Sequence, residues 1–207
     1  MLRVFLCFTG EELPAAPEDW LSSYRKEQLA HLRNPTLRRQ SLCAELLLVY
    51  ALRKSGFEPT LPLTIATGEH GKPYLTDGTC RFSLSHSGEA LFCALCDAEI
   101  GADVEQRREA NEALMRRFFR SDERDRVLRA PDRDDAFTEI WTMKESYCKF
   151  SGEGLGLALD SFSVLDGSIA PGFRHWKVGE FHLTLYAEVP LPEKSELHIV
   201  DKAALKL

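Results

Sequence analysis

The sequence lacks a long hydrophobic run, and this absence excludes a membrane-spanning segment. No uninterrupted apolar stretch among the 207 residues approaches the roughly 20 that a membrane helix requires. The apolar N-terminus breaks at residues 9–12 (TGEE), which is too early for a secretory signal, so residues 1–7 are better interpreted as a first strand. We therefore expect a cytoplasmic protein.

Cysteine is present, but it is neither dense nor paired. The six cysteines are scattered among hydrophobic segments without the density of a disulfide scaffold, so reduced and buried thiols are expected. Cys93 and Cys96 have the spacing of a redox or zinc pair. They lie, however, in an apolar stretch typical of a buried strand, and no second Cys pair or close His pair completes a zinc site.

The chain also lacks an excess of positive charge. Its formal net charge of −6 argues against a general nucleic-acid binder, whose footprint is usually basic. Between residues 20 and 55, however, seven Lys and Arg stand against only two Glu. A basic patch on an acidic protein indicates a specific anionic ligand, although each of these arginines alone also fits a solvated helix face.

Helix signals occur in two groups. Near the N-terminus a proline opens an apolar-periodic segment over residues 17–29, and Asn34 followed by Pro35 opens a second helix that ends at residues 55–56. Further along, charged helices are predicted over residues 109–119, 121–130 and 133–150, and Gly152 ends the last of them.

Strand signals fill the remaining segments. Residues 61–105 change to short β-type runs separated by turn residues, and three alternating runs follow the last helix at residues 162–165, 174–178 and 181–186. This order predicts an α+β fold of two similar halves, residues 1–100 and 101–207, each with helices packed on a mainly antiparallel sheet. The interface between such halves is a usual place for a ligand cleft.

Two motifs carry the predicted chemistry. In the strand end at residues 101–105 (GADVE), alternation places Asp103 and Glu105 on one face. In the helix around WTMKESYCK, spacing by four places Glu145 and Lys149 on one stripe. Three carboxylates brought together repel one another, and Mg²⁺ relieves this repulsion because it binds carboxylates together with waters and phosphates. Each motif alone also fits a solvated strand edge or a surface helix.

Two further segments suit a phosphate ligand. The turn at residues 71–74 presents Lys72 beside Pro73, and the strand end FSLSHS presents the Ser85 hydroxyl and the His86 imidazole. A histidine at a strand end is more often a structural residue, so His86 gains its functional interpretation from these neighbours.

Together with Arg117-Phe118-Phe119 and the segment from Gly152 to Leu155, these motifs resemble the 4′-phosphopantetheinyl transferases, in particular the surfactin-synthetase-activating type. Order and spacing match from about residue 71 to 162. The resemblance implies a monomeric pseudo-dimer. It also implies a reaction, in which coenzyme A gives its 4′-phosphopantetheine group to a serine of an acyl or peptidyl carrier protein and adenosine 3′,5′-bisphosphate leaves.

The resemblance further implies the roles of individual residues. Mg²⁺ would be held by Asp103, Glu105 and Glu145. Catalysis would involve Glu145, Lys149 and His86, with Glu145 as the base for the carrier serine, directly or through a metal-bound water. Coenzyme A would be bound by Arg25, Arg39, Lys72, Pro73, Ser85, His86 and Lys144. For its 3′-phosphate, Arg38 and Lys26 stay alternatives, and the surface near Arg116, Arg117 and Phe118 is the expected carrier contact.

Two other functions compete with this interpretation. A Mg²⁺-dependent phosphohydrolase or nuclease would use the same acidic residues to activate water, but the acidic balance of the chain counts against a nucleic-acid substrate. A non-catalytic module that binds coenzyme A or a carrier protein would not need a complete set of metal-binding carboxylates.

Overall fold

The computed structural model describes residues 1–10, 18–154, 157–191 and 196–205. Leu155 and residue 17, the predicted start of the first helix, lie outside this part of the chain. Among the described residues, no helix combines the length and the apolar character that crossing a membrane requires. All six cysteines are buried free thiols, as the sequence predicted.

The described residues form nine strands and five α-helices. The strands are β1 (Leu2–Phe8), β2 (Ile65–Thr67), β3 (Pro73–Leu75), β4 (Arg81–Ser87), β5 (Ala90–Cys96), β6 (Gly101–Gln106), β7 (Phe173–Val178), β8 (Phe181–Tyr186) and β9 (Leu197–Val200). The helices are α1 (Ser23–His31), α2 (Pro35–Lys54), α3 (Glu112–Phe118), α4 (Ser121–Arg129) and α5 (Arg133–Ser151).

The first sheet has the strand order β4-β5-β1-β9, and all its pairs are antiparallel except β1 with β9. The apolar stripe of α2 covers one face, where Leu47 and Leu48 pack with Phe5 and Leu91. The strand β9 comes from the far end of the chain. Residues 197–200 therefore complete the sheet that the first residues begin.

The second sheet has the strand order β6-β8-β7 and is antiparallel. Its apolar face meets the first sheet, so that Val4 and Phe92 share a core with Ile100 and Leu183. Helix α5 packs on the opposite side of β6 and β8. The result is an α+β molecule in which two sheets lie between α2 and α5, with a further two-stranded sheet formed by β2 and β3.

Gly101 allows α5 to lie directly on β6. A Cβ atom at this position would stand 1.9 Å from the Ser146 carbonyl oxygen and 2.3 Å from the Phe150 backbone nitrogen. Only a residue without a side chain fits at this distance from helix backbone. The close approach brings the residues of β6 within reach of the side chains on α5.

The helix signals in the sequence are confirmed where capping residues carried them. The Asn34 side chain accepts a hydrogen bond from the Thr36 N–H at 2.8 Å, and Gly152 closes α5 with a φ of 74°. Two expectations differ from the structure. Among the described residues the first α-helix begins only at Ser23, capped by Ser22, and residues 162–165 form a bend and a turn instead of a strand.

Candidate active site

A cavity of about 940 Å³ opens between the helices α1 and α2, the strand β4 and the C-terminal half of α5. Apolar side chains such as Leu37, Phe82 and Phe118 form part of its wall. The polar residues of the wall come from several elements, with His86 from β4 and Glu145 and Lys149 from α5. Among them are Arg25, Ser41, Lys72, His86, Arg117, Glu145 and Lys149.

Asp103 is the most enclosed carboxylate of the site. Its Oδ1 atom accepts hydrogen bonds from Lys149 Nζ at 2.7 Å and from the Ser85 hydroxyl at 2.7 Å, and Lys149 also donates to Ser85 at 2.8 Å. Its Oδ2 atom is buried and has no hydrogen-bond partner among the described residues. Burying a carboxylate oxygen without a hydrogen-bond donor costs free energy. The Oδ2 atom is therefore a place for a bound cation or for a water that donates a hydrogen bond.

Glu105 lies two residues further along β6, on the same face as Asp103. Its Oε2 atom accepts a hydrogen bond from Ser87 at 2.9 Å, and its Oε1 atom pairs with the Arg108 guanidinium. Burial and the negative charge of Asp103 raise the pKa of Glu105, while Arg108 acts in the opposite direction. The structure therefore places both carboxylates of the GADVE segment at one locus, as strand alternation predicted.

Glu145 approaches this locus from α5 and lines the cavity. Burial raises its pKa most, and the nearby charges of Asp103 and Glu105 raise it further, against the opposing effects of Lys149 and Arg108. The two motifs thus converge. Among the described residues, however, no group of three or more His, Cys, Asp or Glu side chains stands ready at metal-binding separations.

The donor set nevertheless fits a hard divalent cation. Three carboxylates with mutual repulsion, one of which has an unpartnered buried oxygen, are the ligands that Mg²⁺ prefers. Burial and the Glu145 charge raise the pKa of the neighbouring Cys148 thiol to about 12, so this thiol is protonated at neutral pH.

His86 stands in the cavity wall at the end of β4. Its surface is exposed to the cavity, but partial desolvation by the surrounding protein lowers its pKa, and the positive charges of Lys149 and Arg25 lower it further, while Asp103 opposes them. The neutral imidazole is therefore favoured at neutral pH. Ser85, one residue earlier, faces Asp103 instead of the cavity and acts on the site through that carboxylate.

The ammonium group of Lys72 is engaged by the protein. It donates to Glu99 at 2.8 Å and to the carbonyl oxygens of Ile100 and Phe150 at 3.1 and 3.0 Å. These bonds tie the turn at residues 71–73 to the start of β6 and the end of α5. Lys72 and Pro73 both line the cavity, so the turn shapes the wall where a ligand would lie.

Lys144 does not face the cavity, contrary to the sequence-based expectation of a phosphate contact. Its side chain is fully buried and forms a 2.9 Å ion pair with Glu123, which is equally enclosed. The ammonium also donates to the carbonyl oxygens of Leu159 and Phe162 at 2.7 and 2.9 Å. All three N–H donors are thereby used inside the second half of the molecule.

The two arginines expected at the 3′-phosphate of coenzyme A occupy different places. Arg25 lines the cavity and is held by Glu45 and by Ser41, the latter at 2.9 Å. Arg39 is not part of the cavity wall described here, and its guanidinium donates to the Gly10 carbonyl at 3.0 Å. Of these two arginines, Arg25 is therefore the one that an anionic ligand in the cavity would reach.

Two residues of the site, Ser87 and Arg108, were not predicted from the sequence. Ser87 shares its strand face with Ser85, so the alternation within FSLSHS contains the signal that it would meet Glu105. Arg108 gives no such signal, because it lies in the irregular segment after β6 and its position depends on contacts with α5.

Comparison with known proteins supports the family resemblance that the sequence motifs indicate. Residues 99–198 match the model of the 4′-phosphopantetheinyl transferase superfamily. The chain is 31% identical over 171 residues to a 4′-phosphopantetheinyl transferase of Bacillus subtilis, covering 79% of this chain and 76% of that protein.

Two further relatives match over shorter segments. The 4′-phosphopantetheinyl transferase Sfp of Bacillus subtilis strain 168 is 41% identical over 106 residues, or 49% of this chain and 47% of the relative. The 4′-phosphopantetheinyl transferase psf-1 of Bacillus pumilus is 33% identical over 129 residues, covering 61% and 55%. In these two cases the match spans only about half of the relative's length.

Proposed function

This chain belongs to the 4′-phosphopantetheinyl transferase superfamily and is an enzyme of that type, and we propose that it transfers the 4′-phosphopantetheine group of coenzyme A to a serine of an acyl or peptidyl carrier protein. The observation that carries this proposal is the convergence of Asp103 and Glu145 beside Lys149 at the polar side of a cavity large enough for a nucleotide. The competing functions, hydrolysis of a phosphate ester and binding without catalysis, are not favoured by the relatives.

In the proposed reaction the carrier serine oxygen forms a bond to the phosphorus that carries the pantetheine arm. The bond from this phosphorus to the bridging oxygen breaks, and adenosine 3′,5′-bisphosphate leaves with the electron pair. Glu145 accepts the serine proton, a role that suits a cavity-facing carboxylate whose pKa is raised by burial. Lys149 holds Asp103 in place, and its charge lies where phosphate oxygens would enter the site.

Asp103, Glu105 and Glu145 would hold Mg²⁺. When bound, the cation neutralises charge on the pyrophosphate of coenzyme A. His86, neutral and in the cavity wall, donates a hydrogen bond to a phosphate oxygen. The turn at Lys72 and Pro73 faces the adenine nucleotide.

Arg25 is the residue we propose for the 3′-phosphate. Its Nε and Nη1 atoms are engaged by Glu45 and Ser41, which leaves Nη2 as the group for the ligand. Arg25→Gln should weaken coenzyme A binding about tenfold more than dephospho-coenzyme A binding, because one charge-assisted hydrogen bond is lost. Calorimetric titration of both ligands measures this difference, and Arg39→Ala is the matched control. Preferential loss in Arg39→Ala instead would assign the phosphate to Arg39.

The whole-molecule proposals follow from the same fold. The half over residues 1–100 would serve the adenine and 3′-phosphate side of coenzyme A, and the half over residues 101–207 would supply the metal-binding and catalytic residues. We also propose that the two halves form a pseudo-dimer within one monomeric cytoplasmic chain. The helix-covered sheet in each half supports this view.

The decisive experiment incubates the protein with coenzyme A, Mg²⁺ and an apo carrier protein, followed by intact-mass spectrometry. The expected result is a carrier heavier by one phosphopantetheine, and no such product in the presence of EDTA. Phosphate release without carrier modification would support the phosphohydrolase instead. A panel of apo carriers from fatty-acid, polyketide and nonribosomal peptide synthesis identifies the preferred class.

A further inference from the structure

Arg108 occupies an unusual place beside the carboxylates of the site. It follows β6 by two residues, and its guanidinium pairs with Oε1 of Glu105. The same guanidinium lies over the Trp141 ring, 5.2 Å from the ring centroid. A cation held over an aromatic face and against a carboxylate is fixed in both position and orientation.

Helix α5 fixes the backbone of Arg108 as well. The Arg108 N–H donates to the Thr138 hydroxyl at 3.2 Å, and the Ala110 N–H donates to Asp134 at 3.0 Å. Asp134, Thr138 and Trp141 recur at helical spacing, and Glu145 is the next member of this stripe. The segment after β6 is therefore laid along the same helix face that presents Glu145.

Glu105 and Asp103 differ in how their carboxylate oxygens are hydrogen-bonded. Glu105 has donors at both oxygens, Ser87 at Oε2 and Arg108 at Oε1. Asp103 has its two donors on Oδ1, and its Oδ2 atom lacks one among the described residues. A divalent cation at Asp103 would therefore meet an oxygen without a donor, whereas at Glu105 it would meet a resident positive charge.

We propose that Arg108 is a positioning residue that holds Glu105 as a resident counter-cation and gives up Oε1 of Glu105 when a divalent cation binds, thereby weakening and tuning metal affinity. This inference rests on the metal site of the proposed function. Trp141 retains the released guanidinium over its ring, so that Arg108 stays beside the site instead of leaving it. Removal of the arginine charge removes both the competitor for the oxygen and a repulsion against the incoming cation.

The test uses Mn²⁺ as a spectroscopic probe of the full-length protein after metal removal, with binding measured by electron paramagnetic resonance. Arg108→Gln should bind Mn²⁺ about fivefold or more tightly than the wild type, since a unit positive charge near the ion is lost. Arg108→Lys, which keeps the positive charge near the ion, should stay within about twofold of the wild type. A purely structural lesion would not tighten binding.

Arg107→Gln is the matched control. The Arg107 guanidinium pairs with Asp132 and Asp134 outside the carboxylate locus, so its loss should leave Mn²⁺ affinity unchanged. Equal or weaker Mn²⁺ binding by a cooperatively folded Arg108→Gln would overturn the proposal. If that variant does not fold, Arg108→Met, which keeps an apolar stem over Trp141, provides the same comparison.

Carrier modification by the wild type is measured on the same preparation. If the wild type modifies the carrier and all variants bind Mn²⁺ equally, the proposed role of Arg108 is wrong but the proposed function stands. A wild type that modifies no carrier removes the proposed function, whatever the variants do with Mn²⁺.

Discussion

At the scale of single residues, the site combines charges that are costly to bury with contacts that only partly compensate them. Asp103 is bound by Lys149, and Glu105 by Arg108, whereas Glu145 faces the cavity beside both acids. Like charges held together at partial burial destabilise the folded chain and make it responsive to a cation. Stability and function should therefore move in opposite directions at Glu145.

Glu145→Gln tests this opposition. We expect transfer to fall about 100-fold or more, because a base and a metal ligand are lost together. In EDTA near neutral pH the same variant should have a Tm a few degrees above the wild type. The raised pKa of Glu145 means that its ionisation opposes folding, so the penalty is absent at pH values below the unfolded pKa and develops as pH rises through the folded one.

Differential scanning calorimetry across pH measures this effect. The advantage of Glu145→Gln should vanish near pH 4, where the wild-type carboxyl is also protonated. Glu153→Gln, an exposed glutamate just beyond α5, is the control and should change neither property. Near-normal carrier modification by Glu145→Gln would remove this residue from the mechanism.

Lys144 gives the second prediction at this scale. Lys144→Met should destabilise the fold by about 3–5 kcal/mol, because it leaves the buried Glu123 charge without its cation. Among the residues that the structure describes, Glu123 would retain the backbone N–H groups of Arg120 and Val164 as donors. Urea unfolding measures the loss. The double variant with Glu123→Gln should recover part of it, and a selective rise in KM for coenzyme A without lost stability would restore the phosphate role.

At the scale of elements, the position of α5 on β6 decides the geometry of the site. Gly101→Ala should push α5 away from the strand, because the new methyl group meets backbone atoms of Ser146 and Phe150 that cannot rotate aside. We expect a loss of about 3 kcal/mol or more together with most of the transfer activity. The Asp103 to Lys149 contact would lengthen with the helix displacement.

Gly167→Ala is the control for this prediction, because nothing lies within 4 Å of a Cβ atom at that position. It should be close to neutral in chemical unfolding and in the carrier assay. A well-folded and fully active Gly101→Ala would show that α5 can adjust without disturbing the carboxylates.

The helices and strands also show how much of the fold could be predicted from the sequence alone. Local signals were sufficient for α2, whose Asn34 cap precedes Pro35, and for the end of α5 at Gly152. Alternation was sufficient for Asp103 and Glu105. The turn at residues 162–165 was missed because Val164 donates its N–H to Glu123, far away in sequence, instead of to a neighbouring strand.

Long-range contacts explain the other differences as well. Lys144 belongs to the helix motif by spacing, but whether its ammonium turns toward the cavity or toward Glu123 depends on how α4 packs against α5. Arg39 and Arg25 both belong to the basic N-terminal segment of the sequence, yet the rotation of α2 directs Arg39 toward Gly10. Such choices are set by tertiary packing, which local residue patterns do not contain.

At the scale of the whole molecule, we expect the two sheets and residues 197–205 to unfold as one cooperative unit. Leu205 and Val200 are buried in the core between α2 and the first sheet. Leu205→Ala should therefore cost about 2–5 kcal/mol, as for other leucines truncated in a packed core. The loss should appear in one unfolding transition, because Val4 and Leu183 join both sheets in a shared core.

Ile199→Ala is the matched control in the same segment. The Ile199 side chain is 63% exposed, so its truncation should change stability by less than about 0.5 kcal/mol. Chemical unfolding followed by both circular dichroism and tryptophan fluorescence measures the two variants. Two separate transitions, only one of them shifted by Leu205→Ala, would mean that the halves unfold independently.

The parallel pairing of β1 with β9 has a consequence for how the protein emerges from the ribosome. The strand β1 ends at Phe8 and its neighbour β9 begins at Leu197, so residues 9–196 are translated between them. Until then one edge of β1 offers unpaired amide and carbonyl groups to any nascent chain nearby. We expect the growing polypeptide to need chaperone protection for most of its synthesis, and to become resistant to proteases only after translation has passed β9.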